Sequence, residues 1–273
     1  MEEFLRYMTW PFLACLVLTG IHAYLGLHVI ERQVIFVDLA LAQIAALGAG
    51  VALLFHHGFD TPGAYWFSLG FTVIGAAVFS FSRFRQQKVP QEAVIGIVYA
   101  VSAAFLMLVL SRSGEGDEHV RHVFLGNILL VTPREVIKMA LIYAVIGVFH
   151  FIWRGPFLLI SQNAEEAFQK GLPVRSWDFL FYTTFGIVVT SSVRIAGVLL
   201  VFSYLVVPAA SAVMFVSGAR ARLLFGWAVG FFASVAGITA SYILDIPTGA
   251  TVVCVFGLTI LLLAFIRRMI PGY

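Results

Sequence analysis

Residues 161–177, SQNAEEAFQKGLPVRSW, form the longest clearly hydrophilic passage of this chain that is bounded on both sides by apolar segments of membrane-spanning length. The pattern predicts a short capped helix, because Asn163 can cap its amino end and Glu166, three residues later, can complete a capping box. Gly171 stands where a helix ends in left-handed backbone, and Pro173 prevents the helix from continuing. We therefore expect a short helical stub between two membrane helices.

The predicted stub, at about residues 162–174, has one small apolar face. Ala164, Ala167 and Phe168 share that face at helical spacing, whereas Glu165 points elsewhere. Such a helix is typical of an amphipathic linker lying on lipid headgroups. It is equally suited to docking against another protein, and the residues alone leave both interpretations open.

The composition indicates a polytopic membrane protein. Of 273 residues, 61% are hydrophobic and 11% are charged, compared with about 45–50% and about 25% in soluble domains. The formal net charge of +3 comes from Lys and Arg at the ends of apolar runs, which is a signal of membrane topology. The lipid bilayer is therefore the expected partner, and nucleic acid is not.

Apolar runs of about 20 residues predict nine membrane-spanning helices in one all-α transmembrane domain over residues 1–273. Residues 178–216 are too long for one span, and we expect a hairpin turning near residues 194–197. A re-entrant segment at that place would instead give eight spans. The other predicted spans cover residues 9–30, 34–56, 64–82, 91–111, 136–153, 223–244 and 250–266.

The distribution of basic residues predicts the orientation. Most of the basic residues lie on one side of the membrane if five segments are placed there. These segments are ERQ at 31–33, RFRQQK at 83–88, the 154–177 loop, SGARAR at 217–222 and the tail from Arg267. The positive-inside rule makes that side cytoplasmic. The N-terminus is then outside and the C-terminus is in the cytoplasm.

Asp38 is the sharpest candidate for function within a predicted span, because a charged side chain at the bilayer centre costs about 2.5–3.5 kcal/mol. It can steer or ligate a cation, or it can pair with Arg32 at the rim of the membrane. Gln43 lies five residues further on, about 140° around the helix. The two side chains therefore do not share one face of a straight helix.

The external passage 113–127, SGEGDEHVRHVFLGN, offers a second and weaker candidate site. His119 and His122 can share one helix face, and imidazole with carboxylate suits Zn or Mn. No strict ligand spacing such as HExxH is present. A solvated acidic loop is the alternative interpretation.

Pro208 lies inside a predicted span, where it removes a backbone donor and frees a carbonyl. A bend at a translocation pathway and an ordinary packing kink both fit this residue. The sequence also lacks a GxxxxGK[ST] phosphate-binding loop and any paired catalytic residues. We therefore do not expect this chain to be an enzyme.

Five passages together resemble a known family. EEAFQKGLPVRSWDFLF, at 165–181, looks like the coupling helix of ABC transporter permeases, which contacts a separate ATPase subunit. Four more passages resemble, in the right order, the permeases of metal-uptake ABC importers that serve zinc, manganese or iron: QEAVIGIVYAVSAA, FLGNILLVTP, VRIAGVLLVFSYLVVPAASA and DIPTGATVVCVFGL.

This resemblance implies a permease subunit in a bacterial inner membrane that works as a homodimer with an ATPase and an external metal-binding protein. It implies a transported divalent metal, no tightly bound cofactor, and ATP on the partner subunit. It assigns contact with the ATPase to the stub residues Glu165, Glu166, Phe168, Gly171 and Pro173.

The second span departs from the family pattern. Family members usually carry Gly-Asp in this span, with His four residues after the Asp. The matching positions here are Asp38, Leu39 and Gln43. The resemblance therefore implies Asp38 and Gln43 as substitute metal ligands, and it leaves an ABC permease for another substrate, or a secondary transporter, as alternatives.

Overall fold

A computed structural model of the chain describes residues 2–59, 61–83, 89–111 and 126–270, with side chains from residue 7 onward. Within these ranges the regular structure is entirely helical, as predicted. The helices are α1 Glu2–Glu31, α2 Val37–Leu54, α3 Pro62–Phe81, α4 Gln91–Leu110, a short 3-10 helix Ile128–Leu130, α5 Pro133–Ile152, α6 Arg154–Gln162, α7 Ala164–Gln169, α8 Val174–Ala196, α9 Val198–Phe215, α10 Ala219–Leu244 and α11 Thr248–Met269.

Nine of the described helices are long and apolar enough to cross a membrane; α6 and α7 are the two α-helices that are not. Residues 178–216, predicted to hold two spans, lie in two helices, α8 and α9, which are separated by Gly197 with a φ of +75°. The prediction of nine spans is confirmed, and the eight-span alternative is wrong because α8 and α9 are each long enough to span a membrane.

The helices group into two compact units. The first contains the described parts of residues 1–30, 124–144 and 195–273, and the second contains those of residues 31–123 and 145–194. Asp38 and the stub α7 belong to the second unit, whereas Pro208 belongs to the first.

In the second unit, α2 packs against α3 and α4. The contact with α3 is close because Gly48 carries no side chain: a Cβ added there would lie 2.7 Å from the carbonyl oxygen of Phe67 and 2.8 Å from the Cα of Ser68. Small residues allow such backbone approach in membrane helices, where burying apolar surface gives little driving force.

In the first unit, α9, α10 and α11 pack on one another. Helix α9 continues without a break around the buried Pro208. On α10, Gly226 lies opposite this residue, so that an added Cβ would meet the Pro208 carbonyl oxygen at 3.3 Å. Nearby, the buried Tyr204 hydroxyl lies 2.7 Å from Ser234 Oγ. The proline is thus accommodated by close packing, and its role at a pathway stays a prediction.

We predict that Gly48→Ala destabilises the protein by about 1–3 kcal/mol, because the added methyl group must push α3 away from α2. Gly70→Ala in α3 is the matched control, since a Cβ there has nothing within 4 Å. That control should be neutral or slightly stabilising, as Ala favours a helix over Gly by about 1 kcal/mol. Thermal unfolding in detergent compares the two; equal midpoints would contradict the packing argument.

Candidate functional site

The predicted stub is helix α7, and its ends have the predicted chemistry. Asn163 Oδ1 accepts a hydrogen bond from the backbone N–H of Glu166 at 3.0 Å. The Asn163 side-chain amide also donates to the Glu166 carboxylate at 3.4 Å. In a capping box the donor would be the backbone N–H of Asn163. Gly171 follows the helix with a φ of +73°, where a residue with a side chain would be strained. Pro173 then directly precedes α8.

The apolar face of α7 fixes the stub to its flanking helices. Ala167 is fully buried with Ile160 of α6 and Val174 of α8, and Phe168 packs against this cluster while partly exposed. Glu165 is exposed, and Glu166 forms a 2.6 Å ion pair with Lys170. The stub is therefore a fixed element that presents charged side chains and the edge of one aromatic ring.

Asp38 occupies the first turn of α2 and is fully buried. Neither of its carboxylate oxygens has a hydrogen-bond partner among the residues that the structure describes. The alternative in which Asp38 pairs with Arg32 is wrong, because Arg32 bonds to Asp178 instead. A buried carboxylate without a partner is costly, so Asp38 remains a candidate for binding a cation.

Gln43 does not join Asp38 in one site. It is buried, and Leu39 beside Asp38 is half-buried. Helix α2 runs without interruption from Val37 to Leu54, so the angle of about 140° between positions 38 and 43 is retained. The two candidate ligands lie on different faces of the same helix.

A second carboxylate that we did not predict lies at the same end of α2. Glu92, in the first turn of α4, accepts a hydrogen bond from the backbone N–H of Phe36 through Oε1 at 3.0 Å. Its other oxygen is buried and has no hydrogen-bond partner in the described ranges. Phe36 directly precedes α2. The sequence does show that Glu92 is an acidic residue at the start of a predicted span. It does not show that Glu92 bonds to a residue 56 positions away.

Asp178 forms a buried charge cluster with two arginines; we call Arg32, Arg83, Ser161 and Asp178 the Asp178 cluster. Arg32 Nη1 donates to Asp178 Oδ1 at 2.6 Å, and Arg83 Nη1 donates to Asp178 Oδ2 at 2.9 Å. Arg32 Nε also donates to Ser161 Oγ at 2.8 Å. The side chains of Arg32 and Asp178 have no exposed surface.

Within the described residues, no three His, Cys, Asp or Glu side chains gather in a way that could hold a metal ion. The ring of His22 bonds to the Leu18 carbonyl at 2.9 Å, and His150 Nε2 lies 2.8 Å from Thr184 Oγ1. The predicted candidates His119 and His122 lie outside the described residues. The structure thus places one unpartnered carboxylate, Asp38, in α2, and the described residues form no ligand cage around it.

Comparison with known proteins defines the family. The model of the ABC 3 transport family matches residues 4–268. This chain belongs to that family, and is thus a membrane permease of ABC transporters.

Individual relatives are more distant. A "Probable iron transport system membrane protein" of Haemophilus influenzae is 26% identical over 247 residues, covering 90% of this chain and 85% of the relative. "Manganese transport system membrane protein MntC" of Halalkalibacterium halodurans is 26% identical over 183 residues, covering 66% and 62%.

The fold also matches a solved structure. A chain of PsaBC from Streptococcus pneumoniae, determined in complex with a Fab, superposes with a TM-score of 0.79 at 18% identity. The match covers 97% of this chain and 95% of that chain. At this identity the similarity establishes the common fold.

Proposed function

We propose that this chain is the membrane subunit of an ABC importer that moves a divalent metal ion, such as iron, manganese or zinc, into a bacterial cell. A separate ATPase subunit drives it, an external protein delivers the metal, and two copies of the chain form the pore. The observation that carries the proposal is the family match along residues 4–268, together with the metals named for its relatives.

Helix α7 supports the assignment of the ATPase contact. A helix that docks on another protein has to keep its shape when the partner moves. Helix α7 is capped at its amino end and is followed by a glycine in left-handed backbone. Ala167 packs it against α6 and α8. Its exposed side, with Glu165 and part of Phe168, is free for a partner. Aromatic side chains such as Phe168 are enriched at protein–protein interfaces, and polar side chains such as Glu165 are typical of the rim around them.

Asp38 supports a cationic substrate. An ionised carboxylate that is buried without a counter-charge is disfavoured by several kcal/mol, and a passing cation removes this cost. Glu92 places a second carboxylate near the same end of α2 through its bond to Phe36. Carboxylate oxygens are among the ligands that divalent cations such as Mn²⁺ prefer.

One observation favours a second candidate, an ABC permease for a substrate other than a metal ion. Helix α2 presents Leu39 and Gln43 at the positions where related metal permeases carry Asp and His. A neutral amide is a weaker metal ligand than imidazole. Transport assays with metal ions and with Asp38 variants separate the two candidates.

The orientation follows from the basic residues, and we predict that residues 220 and 246 lie on opposite sides of the membrane. Arg220 lies in the first turn of α10 and Ile246 lies just beyond its last turn, and both are exposed. In a background with Cys15 and Cys254 replaced by Ala, an impermeant maleimide applied outside the cell should label Ile246→Cys. It should label Arg220→Cys only after lysis. The reverse pattern would overturn the proposed orientation.

We predict that the double variant Glu165→Lys, Phe168→Ala inserts normally but loses ATP-driven uptake by about tenfold or more, as expected when contacts at the centre of an interface are removed. Uptake is measured in proteoliposomes containing the chain, its ATPase and the external metal-binding protein, with radioactive Mn²⁺ and Zn²⁺ as probes. Asp245→Lys, which reverses an exposed charge at the end of α10, is the control and should transport normally. Full uptake by the double variant would exclude α7 as the ATPase contact.

We predict that Asp38→Asn lowers uptake of Mn²⁺ and Zn²⁺ by about tenfold or more, since loss of even an outer-shell partner can cost that much in metal affinity. The amide keeps the volume of the side chain and removes its charge, so folding and ATPase binding should persist. Asp245→Asn makes the same chemical change at an exposed position and serves as the control. Normal uptake by Asp38→Asn would show that this carboxylate does not contact the transported ion.

A further inference from the structure

The Asp178 cluster connects three parts of the second unit that are far apart in sequence. Arg32 lies in the segment between α1 and α2, and Arg83 follows the end of α3. Asp178 lies in the second turn of α8, and Ser161 lies in the last turn of α6. A single carboxylate therefore links the start of α2 and the end of α3 to the two helices that hold α7.

These contacts form a rigid connection, which we call the joint, because they hold the Arg32 side chain in one position. Arg32 bonds to both Asp178 and Ser161, at 2.6 Å and 2.8 Å, and its guanidinium carbon lies 4.0 Å from the centre of the Phe181 ring. Ser161 in turn donates to the Phe157 carbonyl of its own helix at 2.8 Å. A guanidinium that is held by two hydrogen bonds and an aromatic face has one preferred position.

A second layer of polar contacts supports the same connection. Ser80 Oγ of α3 donates to the Arg175 carbonyl at the start of α8. Gln91 Nε2, at the start of α4, bonds to the Tyr182 hydroxyl of α8 at 3.0 Å. Helix α8 is therefore attached to α3 and α4 by bonds that run beside the Asp178 cluster.

The joint lies next to the apolar base of the stub. Ser161 directly follows Ile160, and Asp178 directly follows Trp177; Ile160 and Trp177 both belong to the cluster that contains Ala167 of α7. If α7 moves, it therefore pushes on Ile160 and Trp177, which are the chain neighbours of Ser161 and Asp178. The movement reaches Arg32, six residues before Asp38, through the buried ion pair.

From these contacts we propose that Asp178 is the positioning residue that transmits the movement of α7 to the start of α2 and the end of α3. This inference rests on the proposed function, because the movement comes from an ATPase docked on α7. Asp178 does not touch the substrate. It makes α7, α6, the start of α8 and the start of α2 move as one body, so that ATP-driven displacement of α7 shifts the helix that carries Asp38.

The test measures coupling, and not transport alone. The chain, its ATPase and the external metal-binding protein are combined in proteoliposomes, and ATP hydrolysis and Mn²⁺ uptake are recorded on the same sample. We expect Asp178→Asn to retain its ATPase subunit and its ATP hydrolysis, but to move about tenfold fewer ions per ATP hydrolysed, within the usual range of coupling energies between two sites. Asp245→Asn is the matched control and should keep the wild-type ratio.

Arg83→Gln keeps the test valid if Asp178→Asn does not fold. The cluster contains two guanidinium groups and one carboxylate, and Arg32 Nη2 has no hydrogen-bond partner in the described part of the chain. Removing Arg83 leaves a neutral pair, so this variant should fold, but it removes the ion pair between Asp178 and the segment that follows α3. We expect it to lower the ratio of ions to ATP as well. A wild-type ratio in both folded variants, or in folded Arg83→Gln where Asp178→Asn does not fold, would overturn the proposal.

A distance measurement separates a joint from a merely structural contact. Spin labels at Ile35→Cys, just before α2, and Gln169→Cys, at the end of α7, are both at exposed positions of the second unit. In the otherwise wild-type complex their distance should not change between the nucleotide-free and vanadate-trapped states. With Asp178→Asn it should change, and an unchanged distance in that variant would overturn the proposal.

The two proposals fail in different ways. If the wild-type chain shows no ATP-driven uptake and binds no ATPase, the proposed function is wrong. If the wild type transports, and the α7 variant is uncoupled while both Asp178→Asn and Arg83→Gln remain fully coupled, the function stands and the role of Asp178 is wrong.

Discussion

Hydrocarbon offers no hydrogen-bond partners, and this constraint shapes every described span. Each backbone N–H and C=O in the bilayer must be satisfied within the protein, and helices achieve this locally. Because burying apolar surface gives little force between helices in lipid, they associate through close backbone approach. Gly48 against Phe67 in α3, and Gly26 against the Leu205 carbonyl in α9, are such contacts. Pro208 lies inside α9 without interrupting it, and Gly226 of α10 packs close to its carbonyl oxygen.

Because water is absent, a buried charge without a partner is destabilising. Asp178 and Asp38, both in the second unit, differ in how their charge is compensated. Asp178 accepts hydrogen bonds from two arginines and is fully compensated. Asp38 has no partner for either oxygen among the described residues. Replacing one partner of a buried ion pair costs about 3–5 kcal/mol, so Asp178 is suited to a constant structural load. The described residues therefore leave an ionised Asp38 without a compensating group.

The features that could be predicted from the sequence depend on residues close together in the chain. The spans follow from runs of apolar residues, and the stub follows from Asn163, Glu166 and Gly171, which act within a few positions of α7. The partner of Arg32 could not be predicted in this way. Sequence proximity favoured Asp38, six residues away, whereas tertiary packing selected Asp178, 146 residues away. The bond between Glu92 and Phe36 was missed for the same reason.

The position of Asp38 limits what can compensate its charge. It lies in the first turn of α2, where the helix dipole stabilises an anion by about 0.3–1 kcal/mol, or up to about 2 kcal/mol when partly buried. That is less than the several kcal/mol that it costs to bury an ionised group without a partner. Glu92 at the same end of the helix adds a second acidic group and no positive charge. The amino end of α2 is therefore under-compensated as an anionic site, and a bound cation would supply the missing stabilisation directly at the helix that the Asp178 cluster holds in place.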